Sequence, residues 1–190
     1  MILPLGSDVA KTARVTADII NSGGVAVAPT DTVYGFLASA LNEKAIEHIY
    51  AVKGRERNKP FLVLLPGTDA VRTFSSMQIP ERIRAHIPGA LTFIMPLKPA
   101  IELSFAERTL AMRIPKHPFL EQLLALTGPL VAPSANPAGN GVIREIAKLI
   151  ALYEHTVDII VDAGDTADET PSTIFDCMTG AVVREGAVKL

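Results

Sequence analysis

The stretch PFLVLLP at residues 60–66 decides the fold class, because five consecutive apolar residues lie between two prolines. A strand with one face in water alternates apolar and polar residues, whereas a strand covered on both faces is apolar throughout. We therefore predict a strand at Phe61–Leu65 that is covered on both faces.

Segments of helical spacing and short apolar runs alternate on both sides of this strand. Asn42 can cap a helix that Gly54 ends, and an earlier helix stops before Gly23. Later helices are predicted between Pro80 and Gly89, before Gly128 and at 146–153. Further strands are predicted at 25–28, 91–97, 110–114, 130–132 and 158–161, with a hairpin of 173–177 and 181–185. This alternation is typical of an α/β or interleaved α+β sheet and argues against a helix bundle or a sandwich.

The composition restricts the classes of protein to which this chain can belong. The 190 residues are 48% hydrophobic and 20% charged, and no linker divides them, so we predict one domain over residues 1–190. The formal net charge of −2 argues against a dedicated non-specific nucleic-acid binder. A single cysteine, Cys177, excludes an internal disulfide and fits a reducing compartment. Because no secretory signal and no membrane-length apolar run is visible, we expect a cytoplasmic protein with no membrane partner.

Common nucleotide and metal motifs are absent from the sequence. It contains no Walker A sequence, dinucleotide fingerprint, metalloprotease helix motif or cysteine pair, so we predict no resident metal site. The four histidines are scattered. Only His117, which follows a predicted strand end, is kept as a candidate functional residue.

Two polar loops follow predicted strands, at the position where open α/β sheets bind ligands. The first is PTDTVYG at residues 29–35, which concentrates short hydroxyl and carboxylate side chains. The second is PSANPAGN at residues 133–140, in which Ser134 and Asn136 precede a glycine that permits close backbone approach. The alternatives are a plain turn for the first loop and a helix-capping loop for the second.

A basic cluster, KGRERNK at residues 53–59, has cations at every second position. If this stretch is extended, all four cations lie on one side, where they suit a polyphosphate. Two alternatives stay open, namely cations that stabilise a helix C-terminus and an ordinary solvated face.

Three further motifs complete the set of polar candidates. MRIPKH at residues 112–117 places Arg113 in an apolar strand, where its guanidinium needs either a structural carboxylate or an anionic ligand. PSTIFD at residues 171–176 supplies Ser172, and VVREG at residues 182–186 supplies Arg184. These motifs hold cations and hydroxyls but no activated nucleophile, which favours positioning and charge stabilisation in phosphoryl chemistry over covalent catalysis.

In this order the motifs resemble the YrdC-like family of L-threonylcarbamoyladenylate synthases, and the resemblance runs from about residue 7 to residue 186. It rests on PTDTVYG, Lys-x-Arg at Lys53 and Arg55, PGALTFIMP, MRIPKHP, Ser-x-Asn at Ser134 and Asn136, and PSTIFD. The resemblance implies a single-domain, twisted, open mixed sheet with flanking helices and a concave, positively charged face. It also implies a nucleotidyltransferase of the short bacterial type, which joins L-threonine, bicarbonate and ATP into threonylcarbamoyl-AMP and pyrophosphate for the t6A base of tRNA.

The resemblance further implies roles for individual residues. The expected catalytic residues are Lys53 and Arg55. The expected ATP contacts are Arg55, Lys59, Thr109, Ser134, Asn136 and Arg184. The expected threonine contacts are Thr30, Arg113 and Ser172. A Mg²⁺ ion bound mainly by the ATP phosphates is expected, because Mg²⁺ often takes few protein ligands.

Three positions depart from the family pattern. Ala138 stands where many relatives have serine, Ala90 where proline is usual, and Leu64 where longer relatives carry histidine.

Two other functions stay open at this point. A non-catalytic RNA-binding module of the same fold would use the basic cluster for RNA phosphates, although the net charge and the hydroxyl residues disfavour it. A carbamoyl-transfer domain, as in hydrogenase maturation proteins, is disfavoured by the short length. For the synthase, the expected partners are downstream threonylcarbamoyl-transferase proteins, and direct contact with tRNA or another RNA is left open.

Overall fold

The computed structural model describes residues 1–166 and 170–190, and the described residues form ten strands and six helices. The strands are β1 (Ile2–Pro4), β2 (Ala26–Ala28), β3 (Gly35–Ser39), β4 (Leu62–Leu64), β5 (Leu91–Pro96), β6 (Thr109–Arg113), β7 (Leu130–Val131), β8 (Ile159–Asp162), β9 (Thr173–Asp176) and β10 (Ala181–Arg184). The helices are α1 (Val9–Asn21), α2 (Glu43–Lys53), α3 (Thr68–Phe74), α4 (Glu81–Arg84), α5 (Pro118–Thr127) and α6 (Ile146–Tyr153). Within the described ranges, no helix is both long and apolar enough to cross a membrane.

The described strands form one mixed sheet in the order β1-β8-β2-β3-β7-β4-β6-β5-β9-β10. Strand β4, for example, runs parallel to β6 on one side and antiparallel to β7 on the other. Helices pack on both faces of this sheet. The mixed α/β sheet with flanking helices that the resemblance implies is therefore confirmed.

Strand β4 lies in the interior of the sheet, as its apolar sequence predicts. Val63 and Leu64 are both fully buried, and they belong to different core clusters. The cluster of Leu64 includes α1 and α5, whereas the cluster of Val63 includes α2, α3 and α6. Because successive strand residues point to opposite faces, both faces of β4 are covered.

Helices α1 and α2 begin and end close to the predicted residues. The Asp8 carboxylate accepts a hydrogen bond from the Lys11 backbone N–H, and Asn42 Oδ1 accepts one from Ala45 N–H at 3.1 Å. Gly54 ends α2 in the left-handed conformation with φ of 59°, which glycine adopts without a Cβ clash. Lys53 is therefore the last residue of a helix.

Sequence reasoning did not predict β1, β3 or α3. Strand β3 begins at Gly35, inside the PTDTVYG motif, whose turn-forming residues favoured a loop interpretation. Strand β1 is three residues long at the edge of the sheet, with two exposed positions, so it has no buried apolar pattern. Helix α3 buries only Val71 and Phe74, so its helical period is weak.

The β2–β3 hairpin brings two of the polar loops together. Its strands pair antiparallel, so residues 29–34 form the connecting loop. Gly35 at the start of β3 pairs with Ser134 after β7, and the Ala135 backbone N–H donates to Tyr34 O at 2.7 Å. The PTDTVYG loop and the Ser-x-Asn loop therefore meet where β3 begins.

Candidate active site

One face of strands β5, β6 and β9 is more exposed than the other. In β6, Thr109 and Ala111 are partly exposed, while Leu110 and Met112, which alternate with them, are buried. Residues that are paired on adjacent strands have their side chains on the same face of the sheet. The partners of Thr109 and Ala111 in β5, and the partners of those β5 residues in β9, therefore lie on this more exposed face too. We call this surface the open face, and its residues are Thr92, Ile94, Pro96, Thr109, Ala111, Arg113, Ile174 and Asp176.

The β2–β3 loop contacts the open face at Arg113. The Arg113 guanidinium donates from Nη1 to Thr32 Oγ1 at 3.1 Å, and its Nη2 lies 3.3 Å from Asp31 Oδ1. Arg113 is only 3% exposed. Burial lowers the pKa of Arg113, the Asp31 carboxylate raises it, and the nearby Arg184 lowers it further. The anion that this buried arginine needs is thus supplied, in this structure, by Asp31 of the same chain.

Thr30 holds the β2–β3 loop in shape. Its hydroxyl donates to Val33 O at 2.7 Å and accepts hydrogen bonds from the backbone N–H groups of Thr32 and Val33. These bonds use the one donor and both acceptor sites of a threonine hydroxyl. Direct contact between this hydroxyl and a substrate stays a prediction.

Ser172 lies at the same end of β6 as Arg113. Its hydroxyl is hydrogen bonded to Thr92 Oγ1 at 2.9 Å, and its carbonyl accepts a bond from Arg184 Nη2 at 2.7 Å. Arg184 Nη2 also lies 3.3 Å from Ser172 Oγ. Since Arg184 also perturbs the pKa of Arg113, the two arginines lie close together. We call this group, with Asp31 and Thr32, the arginine end of the open face.

Lys53 ties helix α2 to the Ser-x-Asn loop. Its ammonium donates to Ser134 O at 2.5 Å and to Asn136 O at 2.6 Å, and the residue is 4% exposed. Burial, with a smaller contribution from the charge of Arg55, lowers the pKa of Lys53 to about 8. Two of the three ammonium donors are therefore used to position a loop.

The basic cluster is not extended, so the expectation that its four cations share one side is wrong. Lys53 ends a helix, and the chain then turns, with Lys59 N–H donating to Glu56 O. Arg57 pairs back to Glu47 on α2, and Lys59 pairs with Glu56 at 3.2 Å. Arg57 and Lys59 are thus each paired with a carboxylate that lies near them in the chain.

Arg55 lies beside the N-terminal end of β4. Its guanidinium donates to Lys59 O at 3.2 Å and Pro60 O at 3.1 Å, and it lies 5.5 Å from the Phe61 ring. Continuing the β4–β6 register backwards from Leu62 and Ala111 puts Pro60 level with Thr109. Arg55 and Lys59 therefore lie near the Thr109 end of β6.

Ser134 and Asn136 lie at this end of the sheet too. Ser134 Oγ donates to Asn136 Oδ1 at 2.5 Å, and Asn136 Nδ2 donates to Asn140 O at 2.6 Å. Strand β7 runs antiparallel to β4, so its C-terminal end reaches the N-terminal end of β4. We call the group of Arg55, Lys59, Thr109, Ser134 and Asn136 the basic end of the open face.

The two ends are joined by strand β6. Thr109 and Arg113 lie on the same face, four residues apart, which in a strand is about 13 Å. A ligand with two differently charged parts, of the length of a nucleoside triphosphate beside an amino acid, can span this distance.

A metal ion here would depend on the ligand for most of its coordination. Among the described residues, no group of three or more His, Cys, Asp or Glu side chains is placed to hold a metal. The carboxylate at the arginine end, Asp31, is paired with Arg113. This donor set fits a Mg²⁺ ion carried on phosphate oxygens better than a resident metal.

Sequence reasoning gave no individual role to three residues of the arginine end. Asp31 and Thr32 stand within the quoted PTDTVYG motif, and Thr92 is the one hydroxyl residue in the apolar strand β5. Thr92 could have been found by the argument used for Arg113, because a polar residue inside an apolar strand needs a hydrogen-bond partner. His117 was kept as a candidate, and its side chain lies close enough to Asp31 for that carboxylate to raise its pKa against the lowering by burial.

Known proteins match this chain over most of its length. The family model Sua5/YciO/YrdC, described as telomere recombination, matches residues 18–186. A putative threonylcarbamoyl-AMP synthase of Methanocaldococcus jannaschii is 30% identical over 177 residues, covering 91% of this chain and 84% of that protein. The threonylcarbamoyl-AMP synthase of Pseudomonas aeruginosa strain PAO1 is 29% identical over 178 residues, covering 90% of this chain and 96% of that protein.

A solved structure shares the fold. The crystal structure of P. abyssi Sua5 complexed with L-threonine matches 98% of this chain with a TM-score of 0.89 and 26% sequence identity. The match covers 57% of that protein, so this chain spans little more than half its length.

Proposed function

We propose, from the premise that this chain belongs to the Sua5/YciO/YrdC family, that it is an L-threonylcarbamoyladenylate synthase. In this reaction L-threonine, bicarbonate and ATP give threonylcarbamoyl-AMP and pyrophosphate, for the t6A modification of tRNA. The observation that carries the proposal is the open face itself. It joins a buried arginine with hydroxyl groups at one end to a loop-lined basic region at the other, along one strand.

We assign the arginine end to threonine. Arg113 takes the substrate carboxylate, because a buried guanidinium forms strong charge-assisted hydrogen bonds with a carboxylate. Ser172 contributes its hydroxyl, held in place by Thr92 and Arg184. Thr30 fixes the β2–β3 loop through its hydrogen bonds to Thr32 and Val33, and its contact with threonine is part of the same proposal.

We assign the basic end to ATP. Arg55 and Lys59 supply positive charge for the phosphates, and Thr109, Ser134 and Asn136 supply hydroxyl and amide groups. Arg184 would contact the nucleotide from the arginine end, where it also holds Ser172. Lys53 contributes its charge from beneath the Ser-x-Asn loop and positions that loop.

The chemistry needs no nucleophile from the protein. The neutral α-amine of threonine and bicarbonate form a carbamate with loss of water. A carboxylate oxygen of the carbamate then attacks the α-phosphorus of ATP while the bond to the pyrophosphate oxygen breaks. The protein aligns the two substrates and neutralises the charge that builds on the leaving pyrophosphate. A Mg²⁺ ion held mainly by the phosphates would add to this charge neutralisation.

The structure weakens the RNA-binding alternative. That function needs a continuous row of free cations, but Lys53 is buried on two carbonyls and Arg57 is paired with Glu47. Two of the four cations of the basic cluster are therefore not free to bind RNA phosphates.

We also propose that residues 1–190 form a single domain that works in the cytoplasm and passes its product to a threonylcarbamoyl-transferase. One cooperative unfolding transition, seen at the same denaturant concentration by two spectroscopic probes, would support the single domain. Two separated transitions would contradict it.

A pyrophosphate-release assay tests the proposed function. The protein with ATP and Mg²⁺ should release pyrophosphate only when both L-threonine and bicarbonate are present, and the adduct should be detected by mass spectrometry. Release without threonine would overturn the assignment. A salt titration with tRNA distinguishes the RNA-binding alternative, which requires steeply salt-dependent affinity without turnover.

A further inference from the structure

Residues 185–190, which follow β10, lie against the segment 171–173 that carries Ser172. The Ala187 backbone N–H donates to Pro171 O at 3.0 Å. A Cβ atom at Gly186 would lie 2.5 Å from Thr173 N, so the two segments are in close contact. We call residues 185–190 the strap, because they cross the segment of Ser172 and are hydrogen bonded to it.

Thr173 joins the two segments through its side chain. Its hydroxyl donates to Val188 O at 2.6 Å and accepts a hydrogen bond from Val188 N–H at 3.1 Å. One side chain thus bonds both backbone groups of a residue 15 positions further along the chain. Thr173 is 0% exposed, and a buried polar group that loses its partner destabilises the fold. The strap therefore cannot move away from Thr173 without leaving polar groups unpaired.

The strap lies on the side of the sheet opposite to the open face. The Ser172 hydroxyl is bonded to Thr92, which belongs to the open face. Thr173 is paired with Leu91, whose side chain packs in the core on the other face, because successive strand residues alternate. Val188 packs against that same core cluster. Thr173 therefore acts from behind the sheet and does not reach a ligand on the open face.

Ser172 needs this support because it lies just outside the sheet. Strand β9 begins at Thr173, which is its first residue paired with β5. The Ser172 carbonyl is held by Arg184, the residue that directly precedes the strap. Segments outside the strand ladder open locally at a lower cost than the core strands. The position of Ser172 therefore depends on the strap that is bonded behind it.

We propose that Thr173 is a positioning residue, which holds the Ser172 hydroxyl in its binding geometry by fastening the strap at Val188. This inference rests on the proposed function, and it adds a residue that does not touch the substrate. Hydrogen bonds weaken steeply when their length and angle depart from the preferred range. Loss of the Thr173 hydroxyl should therefore weaken the binding of L-threonine more than it slows the chemical step.

The test uses two variants of Thr173 and one matched control. Thr173→Val removes the hydroxyl, so both backbone groups of Val188 lose their partner, whereas Thr173→Ser keeps the hydroxyl. Thr16→Val is the control. Thr16 is also 0% exposed and donates to Thr12 O at 2.8 Å, but it lies in α1, which contributes no residue to either end of the open face.

Steady-state kinetics of pyrophosphate release separates binding from chemistry. Thr173→Val should raise KM for L-threonine roughly tenfold, while kcat and KM for ATP stay within about threefold of wild type. Thr173→Ser should restore the wild-type KM. Thr16→Val should leave KM for L-threonine unchanged, although it also loses a buried hydrogen bond. An unaltered KM in Thr173→Val, or an equal rise in Thr16→Val, would overturn the proposal.

Hydrogen exchange tests the strap without turnover. In Thr173→Val the backbone amides of residues 171–173 and of Val188 should exchange faster than in wild type, whereas in Thr16→Val they should exchange at the wild-type rate. Unchanged exchange in Thr173→Val would show that the strap is held by other contacts, and would overturn the proposal.

Calorimetric titration with L-threonine distinguishes failure of this inference from failure of the proposed function. A wild-type protein that binds L-threonine without releasing pyrophosphate would overturn the synthase, and Thr173→Val should then still lose affinity roughly tenfold. Threonine-dependent release with equal threonine affinity in wild type and Thr173→Val would overturn the role of Thr173 alone. A wild-type protein that binds no L-threonine would overturn both.

Discussion

The ammonium of Lys53 lies 2.6 Å from the backbone carbonyl oxygen of Asn136, a residue 83 positions further along the chain. A second bond to Ser134 O and a return bond from Ala138 N–H to Lys53 O complete the junction. The end of helix α2 and the Ser-x-Asn loop are thus joined as one unit. Lys53, which the sequence placed in a basic cluster suited to phosphate, therefore also holds the Ser-x-Asn loop in position.

The burial of Lys53 predicts a pH dependence of stability. Its pKa is about 8 in the folded protein against an ordinary value of 10.5, so between these values the unfolded chain binds the extra proton. The contribution of Lys53 to the free energy of unfolding therefore rises with pH over this window. Urea unfolding at pH 7.5 and pH 10 should show wild type gaining stability relative to Lys53→Met. An unchanged difference between the two proteins would refute the lowered pKa.

Arg55 is predicted to be essential for turnover, and its loss should cost little stability because its two hydrogen bonds to backbone carbonyls are exposed. Arg55→Ala should lower kcat/KM for ATP roughly a hundredfold, because a positive group aimed at the phosphates is lost. Arg57→Ala is the matched control, since Arg57 is exposed and pairs with Glu47, and it should stay within about threefold of wild type. Steady-state kinetics measures both, with circular dichroism to verify folding. Equal activity of the two variants would remove Arg55 from the site.

Gly186 is predicted to position Ser172. A Cβ atom at Gly186 would lie 2.3 Å from Pro171 O and 2.5 Å from the Ser172 carbonyl carbon, so Gly186→Ala must displace the segment that carries Ser172. We expect a higher KM for threonine with a smaller change in kcat, and a loss of about 1–3 kcal/mol in stability. Gly6→Ala, where a Cβ atom meets nothing within 4 Å, should behave as wild type. A Gly186→Ala variant with an unaltered KM for threonine would contradict this role.

Tyr34 is predicted to anchor the end of the β2–β3 loop. Its hydroxyl donates to Gly164 O at 2.9 Å and accepts from Ala163 N–H at 2.8 Å. Tyr34→Phe leaves both backbone groups without this partner and should cost about 1–2 kcal/mol in denaturant unfolding. In Tyr153 the buried hydroxyl makes no hydrogen bond within the described structure, so Tyr153→Phe should be neutral or slightly stabilising. Equal losses in the two variants would show that the Tyr34 bonds contribute nothing.

The sequence by itself determined the local elements of this protein and the identity of its motifs. Asn42 and Gly54 mark the ends of α2 because capping and the left-handed turn involve only residues within a few positions of each other. The apolar run of β4 predicted a strand buried on both faces for the same reason, because that pattern is contained in five consecutive residues. The ordered motifs were enough to indicate the family.

Only the tertiary structure decided which groups those motifs meet. Arg113 contacts Asp31 and Thr32, Ser172 contacts Thr92, and Lys53 contacts the Ser-x-Asn loop. In each case the two partners are 80 or more residues apart in the chain. The basic cluster is not an extended row because helix α2 ends at Lys53 and the chain turns at Gly54, and Arg57 and Lys59 pair with Glu47 and Glu56. The physical reason is that charge pairing and strand order depend on distances in space, which spacing along the chain does not specify.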